Sequence, residues 1–291
     1  MPFLVRPFAA LRPRAERAGD VIAPPYDVVS TDEARALAHD RPASFLHVSR
    51  PEIDLPAGTS AYAEVVYTRG AQNLAALRET MLVREKRPAY YVYRMTASGR
   101  AQTGVACVGS IAAYEANLIR KHELTRPDKE NDRVRNIATL NAQTGPVMCA
   151  YRANAALRAL LHDAAVGPAT LRALGPNAVT HSVWCVDDPA RVERFTAALN
   201  ALDALYIADG HHRAAAASRV AAQRRTNGAA DASHESFLVV AFPHDEMHIL
   251  DYNRVVRDTL DMSAADVLAR VREKFDVEPS VTPVAPPQPE T

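Results

Sequence analysis

Runs of apolar and β-branched residues alternate with helix-forming segments along most of this 291-residue chain. "AYYVYRM" and "SFLVVAFP" are strand-like runs, whereas "ARVERFTAALNAL" has the composition of a helix. Such alternation is typical of α/β and α+β proteins. We therefore expect an α+β (α/β-like) fold, in which helices surround mixed sheets. Hydrophobic residues make up 48% of the chain, which is enough to build a large core.

The chain length leaves two domain organisations open. Residues 1–278 form either one large α+β domain or two lobes, 1–150 and 151–278. The segment "PSVTPVAPPQPET" at 279–291 is rich in proline and has no apolar periodicity. This composition predicts a linker or tail. As a linker, it would lead to a further C-terminal region that this chain lacks.

Composition excludes several classes of protein. Lys plus Arg and Asp plus Glu both number 34, so the chain lacks the basic field of a non-specific nucleic-acid binder. No window approaches eighteen apolar residues, which predicts that no segment spans a membrane. Cys107, Cys149 and Cys185 lie far apart, which argues against a disulfide framework or a zinc ribbon. We expect a cytoplasmic protein with a small-molecule substrate, and its oligomeric state stays open.

A strand-like run ends at the turn Asp209-Gly210-His211-His212-Arg213, and an alanine-rich helix follows. The first N–H groups of a helix lack internal acceptors and carry partial positive charge, so they bind anions. Gly210 allows close approach of a phosphate, Arg213 supplies a forked donor, and the two histidines supply donors whose charge changes near neutral pH. Asp209 could serve as a helix N-cap, as a ligand of a hydrated magnesium ion, or as a hydrogen-bond partner that orients a histidine. The alternative is a solvated helix start with Asp209 as a simple cap.

A second cluster of charged residues is "KHELTRPDKENDR" at 121–133. Its weak apolar spacing predicts that 118–145 is mainly a long loop with helical pieces. One hypothesis is an exposed solvated segment, and the other is an active-site loop. In the second, Glu123 with His122 has a catalytic role, Glu130 binds a metal, and three cations neutralise phosphate charge. Those cations are Lys121, Arg126 and Arg133.

Two further segments carry polar side chains beside stiff or apolar stretches. In "APPYDVVS", Pro24 and Pro25 rigidify the backbone before Tyr26 and Asp27. We favour a simple rigid turn in which Asp27 bonds to local amides, over a direct role in catalysis. In "SFLHVSRPE" we expect the polar end of an apolar strand.

Five segments together resemble the prokaryotic family catalogued as domain of unknown function 1015. They are "RPFAALRP", "APPYDVVS", "SFLHVSRPEIDLP", "KHELTRPDKENDR" and "YIADGHHRAAAA". The resemblance runs from about residue 2 to 260 and keeps the order of all five. It implies the family but no activity, because the family is largely uncharacterised.

The turn at 209–213 also resembles the phosphate-binding turn of the ParB and sulfiredoxin superfamily, which includes free serine kinases. This resemblance implies a ParB/sulfiredoxin-like core around the strand–turn–helix unit, with a nucleotide phosphate at the turn and a separate glutamate as base. No motif places that glutamate, and Glu123 is chosen on physical grounds. The cysteine that sulfiredoxins carry in this turn is absent, which argues against sulfinic-acid repair. Genes of the family often lie near serine-biosynthesis genes, which favours serine or phosphoserine chemistry.

These observations lead to one main hypothesis, which is phosphoryl transfer to or from a small hydroxyl metabolite such as serine. ATP or ADP would bind at 209–213 with Mg²⁺ held by Asp209 and Glu130, although the chain contains no Walker A pattern. Two alternatives stay open: a non-catalytic nucleotide-sensing or partner-binding module, and a phosphatase acting on phosphoserine-like substrates.

Overall fold

The computed structural model describes residues 2–228, 231–248 and 259–279 of the chain. It divides into two compact units, Met1–Met247 and His248–Thr291. The first unit contains the sheets and nine of the ten α-helices found in the described residues. The second unit contains one described helix. The mixed α+β fold expected from the alternating pattern is confirmed.

The described strands all lie in the first unit. They are β1 (Val5–Arg6), β2 (Leu11–Pro13), β3 (Leu82–Arg84), β4 (Tyr90–Ala97), β5 (Arg100–Ser110), β6 (Ile119–Arg120), β7 (Val147–Tyr151), β8 (Leu171–Leu174), β9 (Thr180–Val186), β10 (Leu205–Asp209) and β11 (Ser236–Pro243).

The helices range from single turns to 17 residues. They are α1 (Ala18–Val21), α2 (Thr31–Ala38), α3 (Leu46–Ser49), α4 (Glu64–Thr80), α5 (Ile111–Glu115), α6 (Pro127–Leu140), α7 (Ala155–Ala164), α8 (Pro189–Asn200), α9 (His211–Thr226) and α10 (Ala264–Arg272). Short 3₁₀ turns include Tyr26–Val28 and Ser233–Glu235.

Nine strands form one mixed sheet in the order β6-β10-β7-β11-β5-β4-β9-β8, and β1 pairs with β5. β11 is parallel to β7 and antiparallel to β5, and β10 is antiparallel to β7. β2 and β3 form a separate pair. The sheet therefore combines strands that precede residue 150 in the sequence with strands that follow it. The proposed domain boundaries themselves stay a prediction.

The main core lies between the sheet and the helices that follow its strands. Tyr90, Tyr151, Phe195 and Phe237 are each less than 2% exposed and anchor this core. Burying aromatic side chains of this size contributes a large share of the hydrophobic stabilisation of such a domain. A second cluster joins α4 to the ends of α1, α3 and α6.

Several helix starts agree with their sequence signals. Ser30 and Glu33 form a capping box at α2, and Asp188 accepts a hydrogen bond from the Arg191 N–H at the start of α8. Ser263 caps α10 in the same way as Ser30 caps α2. These caps satisfy N–H groups that the first helical turn leaves without acceptors.

The prediction of a long loop over 118–145 was wrong, because α6 occupies 14 of these residues. Pro127 stands at the first helical position, acidic residues follow in the first turn, and Asn141 ends the helix in the left-handed conformation. The apolar spacing is weak because α6 packs partly through polar side chains. Asp132 and Asn136 are both buried in it.

Two other local predictions need correction. The composition of 101–114 predicts a strand over its whole length, but β5 ends at Ser110, whose hydroxyl accepts from the Ala113 N–H and caps α5. The segment around His47 is helical rather than a strand end, and His47 Nδ1 lies 2.7 Å from Asp54 Oδ1. Short-range polar contacts of this kind stabilise turns that apolar spacing alone does not reveal.

The sequence "HILDYNRVV" at 248–256 predicts a strand. This segment and the Pro-rich segment 279–291 lie almost entirely outside the described residues. Among the helices that the structure does describe, none is long and apolar enough to cross a membrane. Cys107 and Cys149 are buried in the core, and burial raises the pKa of both thiols.

Candidate functional site

Strand β10 runs directly into helix α9 through Gly210. This residue adopts φ +95° and ψ 28°, a left-handed conformation that glycine tolerates best. A Cβ atom added here would lie 3.3 Å from Val147 Cα on the neighbouring strand. Both the backbone conformation and the close approach of β7 therefore require glycine at this turn.

The guanidinium of Arg213 connects the turn to two other parts of the chain. Its Nη2 donates to Asp209 Oδ2 at 2.7 Å and to Asp27 Oδ2 at 3.2 Å, and Nη1 donates to the carbonyl of Pro146. The side chain is only 13% exposed. Burial lowers the pKa of Arg213, but the two carboxylates outweigh this effect and raise it. Asp209 is therefore an ion-pair partner of Arg213 and not the N-cap of α9, which is Gly210.

His211 lies beneath the segment that precedes α6. The residue is 4% exposed, its Nδ1 lies 3.3 Å from Glu123 Oε2, and its ring meets the edge of His122 at a centroid distance of 4.5 Å. Burial lowers the pKa of His211, and the proximity of His122 lowers it further. Among the described residues, His211 Nε2 has no hydrogen-bond partner. His211 is thus a buried imidazole with a lowered pKa, beside a carboxylate that is 60% exposed.

His212 makes the second link between the two charged clusters. Its Nε2 accepts a hydrogen bond of 3.1 Å from the backbone N–H of Arg126. No side chain of the N-cap residue caps α9, since that residue is Gly210. The first N–H groups of this 16-residue helix therefore find no acceptor in the N-cap side chain, and helix starts of this kind favour a bound anion.

Helix α6 is held against α9 by apolar and charged contacts. Val134 packs with Ala216 and Val220 in a small buried cluster. Glu130 accepts from Arg219 at 2.8 Å and from the Thr125 hydroxyl at 2.7 Å. Burial would raise the pKa of Glu130, but these two hydrogen bonds lower it. These contacts bring residues 121–133 to the N-terminal end of α9.

Arg133 extends the network to the N-terminal part of the chain. It donates to Asp132 at 2.6 Å, and Asp132 also accepts from the hydroxyl of Tyr67 at 2.7 Å. The guanidinium lies over the ring of Tyr26 at 4.1 Å from the centroid. Burial raises the pKa of Tyr26, although Arg133 opposes this effect.

The structure brings together most of the residues singled out in the two charged clusters. Glu123 and His122 meet His211, Arg126 meets His212, and Asp209 meets Arg213. Three others lie at the margins of this arrangement: Lys121 Nζ is 4.9 Å from the centroid of the Tyr114 ring, Glu130 is held by Arg219, and Arg133 stacks on Tyr26. Their assigned roles stay predictions.

Sequence reasoning missed Tyr26 and Asp27 as parts of this site. We expected Asp27 to bond to local amides in a rigid turn, but its carboxylate reaches Arg213 instead. Pro25 holds an extended conformation before the 3₁₀ turn that carries both residues. A tyrosine and a carboxylate that follow two prolines were the available signal, and the partner of the carboxylate lies far along the chain.

The residues predicted to bind Mg²⁺ do not form a metal centre by themselves. Asp209 pairs with Arg213, and Glu130 pairs with Arg219. Nowhere in the described ranges do three His, Cys, Asp or Glu side chains form a group suited to a metal ion. Mg²⁺ is often held by one or two carboxylates together with substrate phosphates, so Mg²⁺ stays a prediction that depends on a phosphate ligand.

Comparison with known proteins agrees with the five-segment resemblance. The family model described as "Protein of unknown function (DUF1015)" matches residues 5–290. No curated protein and no solved structure matches the chain.

Proposed function

Given that this chain belongs to the DUF1015 family of proteins of unknown function, we propose that it is an enzyme of phosphoryl transfer. Its ligand would be a phosphate ester or nucleotide, and its second substrate a small hydroxyl metabolite such as serine. The observation that carries this proposal is the N-terminus of α9, where N–H groups without a side-chain cap adjoin the Glu123–His211 pair. The likeness of the turn to the ParB/sulfiredoxin superfamily points to the same chemistry.

In this proposal, the backbone N–H groups at the start of α9 bind phosphate oxygens. The helix dipole favours negative charge at this end, and the half-buried His212 stands in the first helical turn. His122 is exposed, and its ring lies against that of His211. Preorganised donors of this kind stabilise the charge that develops during phosphoryl transfer.

Glu123 is the proposed general base. Its carboxylate is largely exposed, as a base that meets a substrate hydroxyl must be, and it lies beside the buried imidazole of His211. His211 is then a positioning residue that orients Glu123 rather than a group that touches substrate. Proton removal by a positioned carboxylate contributes roughly 10²–10⁴-fold to the rate of such reactions.

Arg213 has a positioning role in this proposal, which differs from the direct phosphate contact expected from its sequence. The terminal nitrogens of its guanidinium already donate to Asp209, Asp27 and the carbonyl of Pro146. It therefore joins β10, α9 and the Tyr26–Val28 turn around the anion site. Mg²⁺ bound together with the ligand would neutralise phosphate charge, and Asp209 is a candidate to hold it.

Substitution of His212 by glutamate tests the anion site. A carboxylate in the first turn favours the helix but repels a bound phosphate, so His212→Glu should fold normally and bind ATP and pyrophosphate at least about tenfold more weakly. Ala190→Glu introduces the same charge at the matching position of α8 and should leave binding unchanged. Isothermal titration calorimetry measures both. Equal affinities in His212→Glu and the unchanged protein would overturn the proposal.

Turnover is tested separately with Glu123→Gln, which keeps the size and hydrogen-bonding capacity of the side chain. Phosphorus NMR would detect phosphate transfer or release in two kinds of reaction mixture. One contains ATP or ADP together with serine, and the other contains phosphoserine alone. We expect phosphate transfer in the unchanged protein, a rate about 10²-fold or more lower in Glu123→Gln, and retained nucleotide binding. Glu79→Gln, an exposed residue of α4, is the control. Binding without any turnover would favour the nucleotide-sensing module instead.

A further inference from the structure

A second concave site lies on the first unit, away from the N-terminus of α9. It is a groove of about 880 Å³ between the N-terminal segment, α4, the end of α6, the later turns of α9 and the start of β11. Pockets for small molecules commonly measure roughly 300–1,000 Å³. We call it the arginine groove, because four arginines line it: Arg6, Arg78, Arg84 and Arg224.

In the part of the chain that the structure describes, none of these four guanidiniums lies within 4.0 Å of a carboxylate oxygen, and Arg224 interacts with the charge of Asp231 from a greater distance. Three of them make contacts with neutral oxygens: Arg6 with the Ala232 carbonyl, Arg84 with the Ala9 carbonyl, and Arg224 with Asn141 Oδ1. Arg78 and Arg84 are exposed. Most other arginines around the proposed active site are paired with acids, so this concentration of uncompensated positive charge favours an anionic ligand.

Among the described lining residues, one is acidic: Asp231, whose charge interacts with His234 and Arg224 and balances at most one of the four arginines. Its Oδ1 accepts from the Ser233 N–H at 2.8 Å. Hydrogen bonds from Ser233 lower the pKa of Asp231, so the carboxylate is ionised at neutral pH. The four arginines and Asp231 together give the described lining a net charge of +3, with histidine taken as neutral.

The remainder of the lining is largely apolar. Phe8, Phe45, Leu74 and Leu238 contribute to it. A purely inorganic anion would leave this surface without a partner, whereas a ligand with an aromatic or aliphatic body would cover it.

Two buried side chains in the lining each have a polar atom without a partner among the described residues, although His234 Nε2 lies 3.2 Å from Glu235 Oε1. Ser236 is 4% exposed, and the His234 side chain is 7% exposed. Ser236 Oγ and His234 Nδ1 have no hydrogen-bond partner among the described residues. Unsatisfied polar atoms are costly in a folded protein, and a ligand oxygen in the groove offers them a partner after a small side-chain rotation.

We propose that the arginine groove is a separate binding site for an organic phosphate that carries a flat or apolar body, such as a nucleoside monophosphate. The exposed guanidiniums hold the phosphate as forked donors, and the apolar lining holds the body. Arg224 and His212 stand on the same helix, twelve residues apart, which corresponds to roughly 18 Å along its axis. The groove is therefore distinct from the proposed phosphoryl-transfer site and does not depend on it.

The test uses the His212→Glu protein, in which the α9 site is blocked, titrated with AMP and with pyrophosphate by calorimetry. We expect the His212→Glu protein to retain AMP binding. Adding Arg78→Glu and Arg84→Glu to this protein should weaken the remaining AMP binding about tenfold or more. Adding Arg194→Glu, an exposed arginine of α8 outside the groove, should change nothing. AMP should bind more tightly than pyrophosphate, because only AMP covers the apolar lining.

Two results would overturn the proposal: no residual AMP binding in His212→Glu, or residual binding that Arg78→Glu/Arg84→Glu leaves unchanged. Preference for pyrophosphate would also contradict the role of the apolar lining. Failure of the phosphoryl-transfer proposal would give a different result. His212→Glu would then bind AMP and ATP as the unchanged protein does, while the groove variants would still lose AMP binding.

Discussion

Asp27 and Arg213 lie 186 positions apart in the chain, yet Asp27 Oδ2 and Arg213 Nη2 are 3.2 Å apart. The same guanidinium nitrogen also binds Asp209 at 2.7 Å. One largely buried cation therefore joins the Tyr26–Val28 turn to the start of α9. This contact makes the N-terminal segment part of the candidate site.

Removal of the Asp27 charge should destabilise the protein modestly. Asp27→Asn leaves Arg213 with one carboxylate in a poorly solvated position, and we expect the free energy of unfolding to fall by about 1 kcal/mol. Urea unfolding measures this change. Asp40→Asn is the matched control, since the Asp40 side chain is 92% exposed and its removal should have little effect. Equal stabilities of the two variants would show that the Asp27–Arg213 pair contributes nothing.

A Cβ atom at Gly210 should be costlier than one at a glycine with open surroundings. Gly210→Ala combines a left-handed backbone with contacts of 3.2–3.3 Å to Arg213 and Val147. Gly228→Ala has φ +66° but meets no atom within 4 Å. We expect Gly228→Ala to cost about 1 kcal/mol from backbone strain and Gly210→Ala measurably more. Thermal unfolding of both variants checks the order, and a reversed order would contradict the geometry of the turn.

Stability should fall as the pH drops through the range in which histidine ordinarily titrates. The pKa of His211 is lowered by burial and by His122, against the opposing effects of Glu123 and Asp209. The unfolded chain therefore binds a proton at this ring more readily than the folded protein. By linkage, the stabilising contribution is complete above about pH 6.5 and is lost progressively below it.

His211→Gln removes this titration and should reduce the loss of stability between about pH 7.5 and pH 5.5. Urea unfolding at both pH values measures the difference. Burial also lowers the pKa of His181, so part of the loss should remain in the variant. His39→Gln is the control, because the His39 side chain is 79% exposed. The same pH dependence in all three proteins would contradict the assignment to His211.

Local sequence signals predicted many elements well. The hairpin of β4 and β5, the helix starts at Ser30 and Asp188, and the β10–α9 unit follow from caps, turn residues and apolar runs. Helix α6 was missed because its buried face includes Asp132 and Asn136. Apolar periodicity identifies a helix by its hydrophobic stripe, and a helix held partly by polar partners has a weaker one.

The sequence by itself determined the alternation of strands and helices, the glycine turn before α9 and the charged groups that surround it. Only the tertiary structure decided which of these groups meet. It placed Glu123 beside His211, brought Asp209 and Asp27 to the guanidinium of Arg213, and gathered four arginines around a groove. The physical reason is that caps and turns depend on neighbours a few residues away, whereas ion pairs and pockets depend on sheet order and helix packing across the whole unit.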